Sequence, residues 1–214
     1  MKDRRRAKIL GVAERLFREN GYAKTSLSEI ADAAEVSIGT IYTYFGSKGG
    51  IIRELAEPLV VELSARADEV IQRPPADPVE AMIALFQALR FTKDWQTPNL
   101  VLAFDRAQAE SDRYIELMLS EAQTLTIRKI RSLLDVLKYR GSIRKDLNLD
   151  DVTFVLENLM ATHLEYYVQN KGRVSLTQME TVMYRRARLL FEPWYSPSAI
   201  PEKGKRVGPK RPKM

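Results

Sequence analysis

Apolar residues recur along this chain at helical spacing almost from end to end. Ile9, Val12, Ala13, Leu16 and Phe17 share one face of the segment 3–19, and Gly21 supplies its stop. Leu27, Ile30, Ala31 and Ala34 do the same in SLSEIADAAE, where Ser26 and Glu29 have the spacing of a capping box. A longer helix is predicted from Ser47 to about Val70, with Pro58 expected to kink or split it. Pro74, Pro75 and Pro78 then place a domain boundary near residues 72–78. Beyond it Val79, Met82, Ile83, Phe86 and Leu89 form another stripe, and Thr97-Pro98 reads as a helix start with proline in its first turn. Residues 112–140 and 150–170 predict two long helices stopped by Gly141 and Gly172, and Ser175 with Gln178 caps a last one that Pro193 ends. No hairpin dipeptide lies between alternating runs, and no repeat of fixed period is present. The pattern predicts an all-α fold.

One stretch resists that reading. VSIGTIYTYFGSK, residues 36–48, is rich in the β-branched and aromatic types that favour strands. Written as a helix, however, it sets Ile38, Ile41 and Phe45 on one face, and docking that face on the two preceding helices can override a weak propensity. Ser37 stands where a capping oxygen belongs, and the gap from Ala34 to Ser37 suits a tight turn. Helix, short turn and helix with a polar outer face is the layout of a helix-turn-helix. The outer chemistry agrees. Threonine offers a hydroxyl and a methyl to base edges, and tyrosine hydroxyls reach phosphates. Gly39 permits close approach to a duplex, and Lys48 opens the next helix where an anion is favoured. A lysine there would otherwise oppose the helix dipole.

Charge is distributed to match. Residues 1–50 carry net +3, residues 51–200 net −2 and residues 201–214 net +5, within a total of +6. Basic ends are a common nucleic-acid footprint, although a solvated tail is as good a reading of 201–214. Arg4, Arg5 and Arg6 could likewise be a DNA-touching arm or a solvated helix start. Cysteine is absent, so disulfides and thiolate sites are excluded. MKDRRRAKIL lacks the apolar run of a signal peptide, and nothing approaches the ~18 apolar residues of a membrane span. The expected location is the cytoplasm, without membrane contact.

The spaced set Gly21-Tyr22, Thr25, Ile30-Ala31, Val36-Ser37, Gly39-Thr40, Tyr42, Tyr44-Phe45 and Ser47-Lys48 resembles the N-terminal signature of the TetR family of bacterial transcriptional regulators. The likeness covers roughly residues 6–55. It implies an all-α homodimer of about nine helices. Residues 1–48 would be the DNA-binding domain, 49–72 a linking helix and 73–195 a ligand-binding and dimerising domain, with 196–214 a basic, disordered tail. It places Thr25, Gly39, Thr40, Tyr42, Thr43 and Lys48 at DNA and Ile41 and Phe45 in the core; Ser26, Ser37 and Tyr44 complete the expected DNA-facing set. Two departures stand out. Glu35 occupies a turn position where the family usually has glycine, and a left-handed residue with a Cβ costs about 1–2 kcal/mol. Gly49 and Gly50 follow Ser-Lys and predict a soft hinge at the start of the linking helix.

Farther along, Phe86, Trp95, Phe104, Arg106, Tyr114, Met118, His163 and Tyr167 are candidate effector contacts, with packing in the core the plainer reading of each. Few charges among them point to a small, largely apolar effector. Leu156, Leu159, Met160, Val182, Met183, Leu189 and Leu190 are candidates for a dimer seam, with intramolecular core as the alternative. No metal or catalytic motif occurs: there is no Glu-x-x-His pair, no His-Glu-x-x-His, no phosphate loop and no Gly-x-Ser-x-Gly. The sequence therefore predicts a regulator that uses no cofactor, a repressor released from a palindromic operator in double-stranded DNA by a small molecule. Activation, or triggering by a protein partner, is the alternative within this class; an all-α enzyme or a structural helical protein lies outside it.

Overall fold

The computed structural model describes residues 2–89, 113–170, 173 and 175–195. Among them are eight α-helices: α1 (Lys2–Asn20), α2 (Leu27–Ala34), α3 (Ile38–Phe45), α4 (Lys48–Gln72), α5 (Pro78–Ala88), α6 (Arg113–Tyr139), α7 (Leu149–Gln169) and α8 (Leu176–Phe191). A 3-10 turn, Glu192–Trp194, follows α8. The expected cap at Thr97-Pro98 and the basic tail lie outside the described residues.

Side-chain oxygens stand at the helix starts, as the sequence predicts. Ser26, Ser37 and Ser47 each accept the amide of the residue three positions on. Asp77 accepts from the amides of Val79 and Glu80, and Ser175 and Gln178 bond reciprocally. Each such cap satisfies an amide that the helix leaves without a partner. Pro58 does not split α4, which continues from Lys48 to Gln72.

Two hydrophobic cores result. The first joins Ile9, Ala13 and Phe17 of α1, Ile30 and Ala34 of α2, Ile41 and Phe45 of α3, and Ile51, Ile52 and Ala56 of α4. Fully burying a side chain such as Ile or Phe contributes about 1.5–3 kcal/mol, so this small set suffices to hold α3 as a helix against its propensity. The second core gathers Val79, Met82, Leu85 and Phe86 of α5 with Ile130, Leu133 and Leu137 of α6, Leu156 of α7, and Ala187 and Phe191 of α8. Helix α4 serves both, since Ala67 enters the second.

Helix α6 runs beside α4 in the same sense. Arg53 bonds Glu121 at 3.1 Å and Lys129 bonds Asp68 at 2.6 Å along the seam. Its first turns reach the other core: Met118 is buried there, and the Tyr114 side chain sits against Gly46. Helix α7 returns antiparallel, with Arg131 paired to Asp150 and Gln123 bonded to Glu157 at 3.0 Å.

Candidate nucleic-acid interface

The turn between α2 and α3 is built on Glu35. Its backbone is left-handed, with φ 56° and ψ 47°. The Glu35 amide donates to the Asp32 carbonyl at 3.1 Å and the Val36 amide to the Ala31 carbonyl at 3.0 Å, the two bonds of a Schellman stop. Glu35 is the single non-glycine residue with positive φ among those described. Its exposed carboxylate is paired with Lys8 of α1, and that lysine holds it below the usual carboxylate range. The negative charge next to the turn is thus locally answered.

Ser37 then opens α3. Its Oγ accepts from the Thr40 amide at 3.2 Å and lies 2.9 Å from the Thr40 hydroxyl. Thr43 donates its hydroxyl to the Gly39 carbonyl at 2.8 Å. Both threonines keep acceptor lone pairs for an outside donor. Tyr42 is 53% exposed and bonds to no described residue. Gly39 has open space where a Cβ would stand, with only Ser37 Oγ within 4 Å, at 3.8 Å. Nothing among the described residues requires glycine there.

The buried stripe of α3 differs from expectation. Ile38 is 45% exposed, whereas Tyr44 is half-buried against the first core. The packed positions are Ile41, Tyr44 and Phe45, an i, i+3, i+4 set, so the face toward α1 and α2 is rotated from the one expected through Ile38. Tyr44 gives part of its surface to packing, and its ring stands 6.0 Å from that of Phe45.

Two other expected DNA contacts turn inward. Thr25 is buried, and its hydroxyl donates to the Gly21 carbonyl at 2.8 Å. It ties the end of α1 to the start of α2 rather than facing outward. Lys48 donates to the carbonyls of Tyr22 at 3.1 Å and Thr25 at 3.3 Å. Two carbonyl dipoles therefore offset the unfavourable position of a lysine at a helix start. Ser26 is exposed, but its hydroxyl is engaged with Glu29 at 2.8 Å; the Ser26 amide and hydroxyl together hold that carboxylate below its ordinary range.

The two glycines after Lys48 are not a loose joint. Both are buried, and a Cβ on Gly50 would come within 1.8 Å of the Phe45 carbonyl oxygen. Glycine lets the backbone of α4 lie on the end of α3. Gly46, with φ 72°, is needed both for its left-handed turn and for the Tyr114 ring against it.

Of the expected arginine arm, Arg4 and Arg5 are exposed, but Arg6 is not free: it forms a two-pronged pair with Glu54 of α4, at 2.8 and 2.5 Å.

The described residues among the expected effector contacts do not converge. Phe86 is buried in the second core, and Met118 in the first. Tyr114 and Met118 line a cleft of about 610 Å³ bounded by Tyr42, Thr43, Arg53 and Glu57, beside α3. His163 lies in a different cleft between α7 and α8. Trp95, Phe104, Arg106 and the Tyr167 side chain lie outside the described residues. In the expected seam, Leu156 and Met183 are interior to this chain, and Leu159, Met160 and Leu190 pack against the same core. Val182 borders the α7–α8 cleft, and Leu189 is 73% exposed. The apolar surface there is instead Phe154, Val155, Tyr166 and Leu189. Helical spacing allows either face, and only packing against α5 and α6 chooses which is covered.

The cationic lining of that cleft by Arg173, Arg185 and Arg186 has a sequence signal that motif reading passes over. Arg185 and Arg186 sit in YRRAR with no acidic residue three or four positions to either side.

A short helix laid across two others, with a three-residue link and an outer face that carries exposed Tyr42 and Thr43, defines a helix-turn-helix protein. Residues 9–55 match the model of a family described as bacterial regulatory proteins, tetR family. The transcriptional regulator EthR of Mycolicibacterium smegmatis is 35% identical over 80 residues, which is 37% of this chain and 37% of that protein. The chain thus spans little more than a third of that relative's length. The transcriptional repressor KstR2 of Mycobacterium tuberculosis is 25% identical over 167 residues, covering 76% of this chain and 81% of its own. Among solved structures, the regulator FadR from Bacillus subtilis in complex with stearoyl-CoA superposes with a TM-score of 0.63 at 19% identity, over 85% of this chain and 96% of that one. No helix among the described residues is long and apolar enough to cross a membrane.

Proposed function

We propose that this protein is a sequence-specific DNA-binding repressor of transcription that acts as a homodimer on a palindromic operator and is released by a small molecule. The observation that carries the reading is the outer face of α3. Among the described residues nothing requires glycine at Gly39, and Tyr42 beside it is exposed and bonds to none of them. Glycine in place of alanine costs a helix up to about 0.5–1 kcal/mol, less in the first turn where Gly39 stands, and a duplex backed closely against α3 is what would repay it. Thr40 and Thr43 add acceptors and methyl groups on the same face. The exposed apolar residues of α7 and α8, Phe154, Val155 and Leu189, are where a second copy would dock. Two copies of α3 would then enter successive major grooves, about 34–36 Å or a multiple apart. A related fold that binds stearoyl-CoA supports release by a ligand.

Selection of sheared genomic DNA on the purified protein at near-physiological salt, followed by sequencing, tests the reading. The expected result is an enriched palindrome whose retention is abolished by a combined Tyr42→Ala and Thr43→Ala variant that melts like the parent. A folded protein that enriches nothing, or a variant that retains the same fragments, overturns it.

A further inference from the structure

Between α7 and α8 lies a cleft of about 530 Å³, within the range of small-ligand sites. Arg173, Arg185 and Arg186 line it, and no carboxylate does among the described residues. Arg173 and Arg185 have no ion-pair partner among the described residues. A guanidinium cannot shed its proton near neutral pH, so an anion entering the cleft meets three fixed positive charges. Planar forks of N–H donors fit the oxygens of a carboxylate or phosphate two at a time.

A buried group braces the site from behind. His163 is 3% exposed, and its Nδ1 lies 2.7 Å from the Leu159 carbonyl. A carbonyl only accepts, so Nδ1 carries the hydrogen and Nε2 presents a lone pair. That lone pair faces a guanidinium nitrogen of Arg186 at 3.4 Å. His163 is therefore a positioning residue: it orients Arg186 along the cleft. Gln178 adds amide donors to the wall, and the half-exposed ring of Tyr166 adds an apolar surface.

We propose that this cleft binds a small dianion, a phosphate ester or a dicarboxylate bearing an apolar group, and that this anion is the effector. The effector role rests on the regulator reading above; the binding site does not. The class differs from the largely apolar effector expected from the aromatic stripe, because the cleft carries three cations that were not part of that stripe.

The test is calorimetric titration of the full chain at low salt, in a buffer free of phosphate, with phenyl phosphate, phthalate and neutral benzyl alcohol. Saturable binding of one anion per chain, with no binding of benzyl alcohol, is expected. Which of the two anions binds separates the phosphate-ester source from the carboxylate source. Arg185→Gln and Arg186→Gln should each weaken binding at least about tenfold with unchanged melting temperature. His163→Gln should weaken it less, and should have no further effect when added to Arg186→Gln, which a merely structural role would not produce. Three results would overturn the proposal: no binding of either anion, equal binding of benzyl alcohol, or affinities unmoved by both arginine variants. A dimer that becomes monomeric in ultracentrifugation when Arg185 and Arg186 are replaced also overturns it, because the arginines would then serve carboxylates of a second copy. Because this titration contains no DNA, its failure is distinct from a failure to select an operator.

Discussion

The ammonium of Lys48 lies 4.1 Å from the centre of the Tyr22 ring and donates to the carbonyl of the same residue at 3.1 Å. A residue that motif reading sends to phosphate is thereby used to fasten the start of α4 to the loop between α1 and α2. Hydrogen bonds from charged groups are worth about 1.5–3 kcal/mol, and the lower end applies to this half-buried position. Lys48→Met should therefore lower stability in urea unfolding by about 1.5 kcal/mol. The slope of log affinity for DNA against log salt should change by much less than the ~0.9 of a lost phosphate contact. A full loss of that slope with unchanged stability would return Lys48 to the DNA surface.

Gly39 and Gly50 should respond oppositely to the same substitution. Gly39→Ala meets no internal atom closer than 3.8 Å and should raise stability by up to about 0.5–1 kcal/mol while weakening DNA binding. Gly50→Ala would drive a methyl group into the Phe45 carbonyl and should cost about 1–3 kcal/mol. Urea denaturation and operator binding of the two variants, measured side by side, decide the matter. A Gly39→Ala protein that binds DNA like the parent would remove the main support for a close approach of α3 to the duplex.

At the α2–α3 turn, Glu35→Gly should raise the melting temperature, because glycine adopts the left-handed conformation freely. The gain should be larger in acid. Lys8 lowers the carboxylate's folded pKa below its unfolded value. The contact thus stabilises the parent above the ordinary carboxylate pKa and is lost as pH falls through the lowered value. Glycine has no such contact to lose. Thermal melts at neutral pH and near pH 3 should show the gap widening toward acid; a gap that narrows would mean the Lys8 pair contributes nothing.

At the far end of the molecule, the Tyr195 hydroxyl donates to Asp77 at 2.7 Å, and Asp77 in turn caps α5. Burial, and then the neighbouring carboxylate, hold this phenol well above its usual pKa. The contribution is complete below the unfolded value near pH 10 and declines as pH rises beyond it. Tyr195→Phe should cost about 1.5 kcal/mol at neutral pH, and the difference from the parent should shrink above about pH 10. Urea unfolding at the two pH values checks both parts.

The local elements of this chain were legible without coordinates. Ser26, Ser37, Ser47 and Ser175 mark helix starts because a short oxygen-bearing side chain reaches the next turn's amide wherever it stands. The spacing of Ile41 and Phe45 marks two positions of the core face of α3, although Ile38, expected with them, is exposed and Tyr44 packs instead; the joint pattern from Gly21 to Lys48 identifies the helix-turn-helix. These are matters of neighbours along the chain. What the sequence left open was decided between residues far apart in it. Thr25 and Lys48 turn inward because carbonyls of the α1–α2 loop are within their reach; Met118, some sixty residues past α4's first core residues, enters the first core because α6 runs beside that helix. Leu156 is interior and Phe154 is exposed, although both lie on one amphipathic helix, because α6 and α8 cover only one side of it. Helical periodicity names a face; only packing in three dimensions says what meets it, and that is what gathers Arg173, Arg185 and Arg186 around His163.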